Sequence, residues 1–548
     1  VAILKIKISN FKGFKGLFTL ELNKGLNILV GNNETGKSTI LEAIHLALTG
    51  LYGGKYIHNE LSQYLFNNEV IEKYLQSVND GSPIEPPCVL IEIYFDGSIN
   101  PEFEGNLNTD HTSKVEGLQF KIAYNNKYND EYQKVVSAKQ LSSLPIEYYE
   151  ASWTSFARQT ITARSIPIKS AMIDSSNYRY QNGSDVYISR IVKDLLSPEE
   201  ITSVAQAHRS MRDGFVCDAA IKAINDRISK ESTIIDGKVS ISVDLGTKNA
   251  WENSLVTQID EIPFGYIGKG AQCVVKTELA LTHKRAQDAS IILLEEPESH
   301  LSYSKLNQLI AAIEGKYSDK QIIISTHNSF VANKLNLNNI VLLDNHETIK
   351  IKDLVSADFF KKIAGYDTLR LMLCKKAILV EGDSDELVVQ KAYMQQNSGR
   401  LPIQDGIDVI SVGTSFLRFL EIADCLKRPT AVVTDNDGDV EALKRKYVDY
   451  LGENQKPFIK ICFDETVDTG ALKIGAVDYN YNTLEPKLLK ANSRALFNRI
   501  FGTKYANDDD LRKYMKQNKT DCAMAIFDTT ETIAFPDYIL EATKKADE

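Results

Sequence analysis

Residues 28–44 read Ile-Leu-Val-Gly-Asn-Asn-Glu-Thr-Gly-Lys-Ser-Thr-Ile-Leu-Glu-Ala-Ile, and they restrict the fold more than any other stretch. Residues 28–30 are a short apolar run with the character of a buried strand. Gly31 to Ser38 then fit G-x-x-x-x-G-K-S, and an apolar-periodic helix follows. This is a phosphate-binding loop in its strand–loop–helix setting. Its glycines let backbone N–H groups close around a phosphate, and the helix N-terminus favours the same negative charge. Gly31, Asn32, Asn33, Gly36 and Thr39 are therefore the expected contacts to a nucleotide, taken as ATP. Lys37 is expected to reach the outer phosphates, and Ser38 to hold Mg²⁺.

A chain of 548 residues is too long for one core and implies two or three domains. The formal net charge of −10 gives no bulk support to a nucleic-acid partner, although local basic patches remain compatible with one. The seven cysteines form no close metal-binding pair and read as reduced and structural. No signal peptide and no run of 18 apolar residues is visible, so a cytoplasmic protein without a membrane partner is expected.

Along the chain, residues 3–8 alternate as a half-buried strand, and residues 18–22 form a second one. Residues 45–82 look helical and polar. Prolines at 83, 86 and 87 break the chain, and residues 89–95, 118–124 and 146–153 are strand candidates for an antiparallel layer. Residues 180–235 change character and read as a helical insertion, either a dimerisation surface or an ordinary subdomain. Gly268, Gly270 and Gln272 stand in Tyr-Ile-Gly-Lys-Gly-Ala-Gln, a Gly-rich turn before a helix that offers N–H groups to a phosphate. Residues 291–294 are a buried strand that runs into Glu295, Glu296, Pro297 and Glu298. A carboxylate at such a strand end orients a magnesium-bound water, and a second polarises the attacking water. Glu295 is assigned to the metal and Glu296 to the water. Residues 322–325 form a further strand, with His327 just beyond it as a candidate sensor of the outermost phosphate.

This set resembles the ABC-type ATPase heads of the RecF, SMC and OLD (overcoming lysogenisation defect) families. Glu295 departs from the Asp usual at that strand end; it keeps the carboxylate with a longer reach. The resemblance implies that the Gly-rich signature of one head completes the nucleotide site of another, hence a homo-oligomer, at least a dimer.

A second chemical unit follows. Residues 377–380 form a buried strand that ends in Glu381-Gly382-Asp383-Ser384-Asp385. Residues 407–410 form another, and residues 431–433 a third that ends in Thr434-Asp435-Asn436-Asp437-Gly438-Asp439. With helices between them, these make a βαβα repeat with acidic residues at two strand ends. Carboxylates gathered at one sheet edge repel unless a cation sits among them, and hard oxygen ligands suit Mg²⁺ or Mn²⁺. Such ions activate water in phosphodiester cleavage. Asp383, Ser384 and Asp439 also fit plain turn and helix-cap roles. A calcium-binding loop fits poorly, because the Glu at loop position 12 is absent counting from Asp435.

Glu-Gly-x-x-Asp followed by Asp-x-Asp closely resembles a Toprim domain, and an ABC head followed by Toprim is the layout of OLD family nucleases. The resemblance spans nearly the whole chain. It implies metal ligands at Glu381, Asp385, Asp435 and Asp437, a late Glu at Glu485, and a catalytic lysine at Lys519 that neutralises the scissile phosphate. A topoisomerase would need a strand-attacking tyrosine in a DNA-gate domain, which is not identifiable, and primases lack this head. The implied fold is α/β: an ABC-type P-loop ATPase with a helical insertion, followed by a Toprim-like parallel βαβ domain. The expected boundaries are 1–179 and 236–345 for the head, 180–235 for the insertion, 346–370 for a connection and 371–548 for the Toprim unit. The implied activity is an ATP-regulated, metal-dependent DNA nuclease in bacterial defence against phage. Its partner would be a helicase, or a reverse transcriptase with its RNA–DNA product in a retron. The alternative is a non-cleaving, nucleotide-switched clamp on DNA or protein.

Overall fold

The computed structural model describes residues 2–97, 100–174, 180–181, 184–185, 196–231, 239–241, 258–282, 289–298, 301–316, 319–326, 339–344, 347–350 and 366–547. Its residues gather into two compact units, one within 1–331 and 345–348, the other within 332–344 and 349–548.

In the first unit, strand β1 (Ile3–Ser9) and β2 (Leu17–Glu21) form the opening hairpin, and β3 (Leu26–Val30) leads into the phosphate-binding loop. Helix α1 (Lys37–Thr49) follows. Its Ile40, Leu41, Ala43, Ile44 and Leu46 to Leu48 are all buried, as expected of a helix packed on both sides. Gly50, with φ 70°, ends it. Helicity therefore stops at Thr49 and resumes at α2 (Asn68–Asn79), where Asn67 caps the Val70 N–H. The continuous helical reading of residues 45–82 is corrected at this point: glycines at 50, 53 and 54 all adopt positive φ, which an α-helix cannot use.

Strands β4 (Val89–Phe95), β5 (Val115–Tyr124) and β6 (Tyr149–Ser155) extend the opening hairpin into an antiparallel sheet of order β6-β5-β4-β1-β2. The strand expected at 146 begins three residues later, because Ile146–Tyr148 make a 3₁₀ turn after Pro145. A second sheet contains β7 (Ser170–Asp174). The insertion supplies two helices, α3 (Pro198–Cys217) and α4 (Ala219–Glu231), and α3 opens with a capping box on Ser197 and Glu200. Helix α5 (Lys269–Thr282), β8 (Ile291–Glu295) and β9 (Gln321–Thr326) complete the elements around the site. The second sheet runs β7-β8-β9-β3 with every one of these pairs parallel. Helix α1 packs on both sheets, against β4 on one side and β7, β8 and β9 on the other.

Parallel register decides the chemistry. Thr326 lies opposite Val30, and Glu295 opposite Ser325. The phosphate-binding loop and the acidic strand end thus leave the sheet at the same edge, separated by β9.

His45, on α1, keeps some solvent contact, yet burial holds its imidazolium down to about 4. Its Nδ1 lies 3.0 Å from the Ser170 hydroxyl. A histidine with folded pKa below its unfolded value stabilises the fold above pH 6.5 and loses that contribution as pH falls towards 4. A fall from 6.5 to about 4 corresponds to at most about 3 kcal/mol, trimmed by the residual solvent contact. Urea unfolding at pH 6.5 and pH 4 should therefore show a loss in wild type that His45→Gln lacks. Parallel losses in both proteins would assign the acid sensitivity elsewhere.

The second unit is built on a four-stranded parallel sheet. Strand β10 (Lys376–Val380) leads to α6 (Asp383–Gln396), β11 (Ile407–Ser411) to α7 (Phe416–Cys425), and β12 (Thr430–Val433) to α8 (Val440–Lys446); β13 (Ile459–Cys462) closes the edge. The order is β11-β10-β12-β13. Helices α9 (Leu484–Ala491), α10 (Lys519–Asp528) and α11 (Asp537–Asp547) follow. Val388, Val389, Ala392 and Tyr393 of α6 meet Cys522, Ala523 and Ile526 of α10 and Ile539 and Ala542 of α11 in one core. Buried Lys391 donates to the Phe527 and Thr529 carbonyls at the C-terminal end of α10, which satisfies acceptors that a helix end leaves open. Residues 351–365 of the expected connection fall outside the described residues.

Candidate active sites

The nucleotide site starts from Gly36. Its φ of 94° suits glycine, and a Cβ there would come 2.6 Å from the Phe14 ring. Phe14, which the sequence alone did not single out, thus presses the loop from below. Gly31 is buried, Asn32 and Asn33 are exposed, and Ser38 and Thr39 sit half-buried at the start of α1. Lys37 is buried, and its ammonium donates to the Gly31 carbonyl at 2.8 Å and the Asn32 carbonyl at 2.7 Å. Burial lowers its pKa, and the charges of Glu296 and Glu298 push back without cancelling the fall. A buried lysine facing two carboxylates at a parallel-sheet edge is a place where phosphate oxygens exchange favourably for the loop's own carbonyls.

Glu296 has φ 41° and donates its N–H to the Ser325 carbonyl at 3.0 Å. This left-handed turn steers the chain out of β8 immediately after Glu295, which is half-exposed. Glu298, read in the sequence only as part of an acidic run, is 7% exposed and accepts from the Thr326 hydroxyl. It is the third acid of the site, and only the pairing of β8 with β9 reveals it.

Gly268 precedes α5 and Gly270 lies in its first turn. Gln272 turns inward, its amide donating to the Phe264 carbonyl at 2.9 Å and the Ile267 carbonyl at 3.0 Å. The Cys273 thiol on the same helix lies 3.7 Å from the Pro297 carbonyl, which ties α5 to the acidic loop. His327 falls outside the described residues. Gln63 accepts from the Leu144 N–H at 3.1 Å.

The second site lies at the C-terminal edge of the β11-β10-β12-β13 sheet. Because β10 and β12 are neighbours, Glu381 and Asp435 emerge side by side. Asp385, in the first turn of α6, accepts the Gly382 N–H at 3.0 Å. Asp435 accepts the Leu484 N–H at 3.2 Å, which brings α9 and its buried Glu485 to the same edge. Lys519, the first residue of α10, completes the group with its ammonium 3.0 Å from Glu485.

The charges of these groups are felt mutually. Burial, then Glu381 and Glu485, push the Asp385 carboxyl up to about 6 against the pull of Gly382 and Lys519. Burial, then Asp385, Glu485, Asp437 and Glu381, push Asp435 well above the ordinary carboxylate range. Burial pulls Lys519 down, but Glu485, Asp385 and Asp435 outweigh it and raise the ammonium. All the acids that the sequence put at this site, together with the lysine, therefore sit within electrostatic reach of Asp435.

Three asparagines missed in the sequence build the frame. Asn436, 3% exposed, donates to the Asp464 carbonyl at 2.5 Å and the Thr466 carbonyl at 3.0 Å, and accepts the Gly438 N–H at 2.9 Å. Asn480 donates to Asp437 at 3.0 Å, and Asn482 clasps the Asp468 backbone. Asp437 and Gly438 both take positive φ, 48° and 86°, the conformation Asp and Gly tolerate best. The signal was the Asn spacing of Tyr-Asn-Tyr-Asn-Thr at 479–483, which matters only once the chain folds back on the loop. Asp439 accepts the Ala442 N–H at 2.8 Å and is a helix cap.

The donor set suits a hard divalent cation: oxygen-only, partly buried and electrostatically crowded. Asp385, Asp435 and Asp437 each engage one carboxylate oxygen through the bonds above, which fixes their orientation. Among the described residues, no three His, Cys, Asp or Glu side chains close around one point at ligand distance.

A phosphate-binding loop facing an acidic strand end defines a P-loop ATPase, and a carboxylate edge on a small parallel sheet defines a Toprim-type unit. The chain belongs to the family described as AAA domain, which it matches over residues 5–369. Residues 372–437 match the TOPRIM domain of overcoming lysogenization defect protein-like proteins, so the expected ATPase–Toprim pairing of the OLD family is borne out. It is similar to the retron Ec83 probable ATPase of Escherichia coli, with 40% identity over 73 residues, 13% of this chain and 12% of that one. It is also similar to the DNA replication and repair protein RecF of Clostridium tetani, with 34% identity over 70 residues, 13% of this chain and 19% of that one. The chain thus spans less than a fifth of either relative's length. Among solved structures, the SMC head domain from Thermotoga maritima superposes with TM-score 0.30 at 11% identity, covering 64% of this chain and 97% of that one. The Smc head with an extended coiled coil, bound to the C-terminal domain of ScpA derived from Pyrococcus furiosus, gives 0.33 at 13% identity, with 66% and 100% covered. No helix among the described residues is long and apolar enough to cross a membrane.

Proposed function

We propose that this chain is an ATP-regulated, divalent-metal-dependent DNA nuclease, cytoplasmic and acting as an effector in bacterial defence against phage. The observation that carries the reading is the gathering of Glu381, Asp385, Asp435, Asp437 and Glu485 with Lys519 at one sheet edge. The carboxylates would hold Mg²⁺ or Mn²⁺, which supplies an activated water and stabilises the leaving oxygen. Lys519, half exposed and raised in pKa, presents a cation to a phosphodiester beside that edge. Asn436 and Asn480 keep the Asp435–Asp437 loop in one orientation. At the other site Lys37, Ser38 and the loop N–H groups would take the ATP phosphates with Mg²⁺, Glu295 would serve the metal, and Glu296 the attacking water. Two heads pairing through the turn at Gly268 and Gly270 would make a homodimer. The similarity to a retron ATPase of Escherichia coli favours a retron setting, with a reverse transcriptase and its RNA–DNA product, over a helicase partner.

The purified protein should cut plasmid DNA with Mg²⁺ or Mn²⁺ and stop on addition of EDTA. A second reading, the non-cleaving clamp, is favoured by the balance of acidic over basic residues, 73 against 63. DNA that stays intact with both metals while the protein binds ATP would select the clamp.

A further inference from the structure

Lys487, on α9, is 3% exposed, and no step of the proposed chemistry uses it. A buried ammonium is stable where its N–H groups find acceptors. Lys487 has three: the Thr466 carbonyl at 2.9 Å, the Asp468 carboxylate at 2.7 Å and the Asp464 carboxylate at 2.6 Å. With its protons so engaged it is not placed to meet a substrate phosphate, and that role stays with Lys519. All three acceptors belong to residues 464–468, which follow β13 just as the Asp435–Asp437 loop follows its neighbour β12. The same Thr466 carbonyl accepts from the Asn436 amide at 3.0 Å, and the Asp464 carbonyl accepts from it at 2.5 Å. Asn436 stands between Asp435 and Asp437. A second route runs through Asn482. It accepts the Asp468 N–H at 2.7 Å, and its own N–H donates to the Asn480 side chain at 2.9 Å, which in turn holds Asp437. Exposed Lys490 adds a bond to the other Asp468 oxygen at 2.6 Å. The loop needs outside support, because Asp437 keeps φ 48°, a conformation that costs a non-glycine residue energy and persists where the surroundings impose it.

We infer that Lys487 is a positioning residue for the Asp435–Asp437 loop: it fixes the 464–468 segment, whose carbonyls fix Asn436, and so sets how Asp435 and Asp437 are presented to a divalent ion. The inference rests on the metal-nuclease reading above. An ammonium suits this task, because it grips a carbonyl and two carboxylates at once through charge-assisted bonds. It also keeps Asp464 and Asp468 occupied away from the metal edge. Groups that orient metal ligands in this way typically control affinity by about 10- to 100-fold.

The test uses the full chain without nucleotide. Mn²⁺ affinity is measured by titration calorimetry, well below each protein's melting temperature, for wild type, Lys487→Met, Asn436→Ala and the double variant. Each single variant is expected to bind Mn²⁺ about 10-fold or more weakly. The double variant should bind no more weakly than the worse single one, since both act along one route. Cleavage should require correspondingly more Mn²⁺, while ATP hydrolysis is unchanged. A lysine that merely stabilises the fold would lower the melting temperature and leave the Mn²⁺ affinity of the folded protein at the wild-type value, which overturns the inference. Losses that multiply in the double variant overturn it too, because Lys487 would then not act through Asn436. If Lys487→Met does not fold, Asp468→Asn takes its place: it loosens the same anchor at a partly exposed position, and a several-fold loss of Mn²⁺ affinity supports the inference where an unchanged affinity overturns it. A wild type that neither binds Mn²⁺ nor cuts DNA overturns the nuclease reading and the inference with it.

Discussion

Asp435→Asn is expected to cut DNA roughly a thousandfold more slowly than wild type, the scale on which losing one preorganised electrostatic group acts, while binding ATP normally. Asparagine keeps the shape and an acceptor for the Leu484 N–H, so the junction with α9 should survive. What it removes is the charge that sits among Asp385, Glu485, Asp437 and Glu381. The same substitution should make the metal-free protein more stable at neutral pH. Aspartate is ionised in the unfolded chain at that pH, whereas burial and the neighbouring acids disfavour its charge in the fold, so the ionised residue costs stability there. Activity lost together with stability gained is a signature that a merely structural aspartate would not give. Plasmid cleavage and thermal unfolding on one preparation read both, and cleavage at the wild-type rate would remove Asp435 from the reaction.

The second large effect concerns Glu296. Glu296→Gln should bind ATP close to normally and hydrolyse it about 10²–10⁴-fold more slowly, the range for loss of a general base. Glutamine is nearly isosteric, so the turn at φ 41° and its N–H bond to Ser325 should persist. Lys37→Ala, by contrast, should lose ATP binding itself, since the cation facing the outer phosphates is gone. If bound ATP restrains the nuclease, Glu296→Gln should cut DNA poorly while ATP is present, and Lys37→Ala should cut whether or not ATP is added. A plasmid-cleavage time course with and without ATP separates the cases. Cutting by Glu296→Gln that ATP leaves unchanged would uncouple the two sites and leave their separate chemistries standing.

Local sequence was enough for the phosphate-binding loop, because Gly36, Lys37 and Ser38 act through backbone geometry within one turn of chain. It was also enough for the acids at the ends of β8, β10 and β12, since an apolar run that stops at a carboxylate announces a strand emerging at a sheet edge. Lys519 and Glu485 were legible only through family resemblance, and their meeting at 3.0 Å needed α9 and α10 to fold over the sheet. Glu298, Phe14 and Asn436 left no readable signal, and the Asn spacing around Asn480 gains its meaning only once the chain folds back on the loop. Each acts on a segment far away in sequence: Glu298 on Thr326, Phe14 on Gly36, Asn480 on Asp437. The helical reading of residues 45–82 failed for a related reason, as composition does not register the positive φ that Gly50, Gly53 and Gly54 adopt. The sequence by itself thus determined which chemistries the chain carries, through short motifs whose function is local. Tertiary structure decided which charges meet, because burial and like-charge crowding at Asp385 and Asp435 arise only when parallel register brings two strand ends and two later helices to one edge.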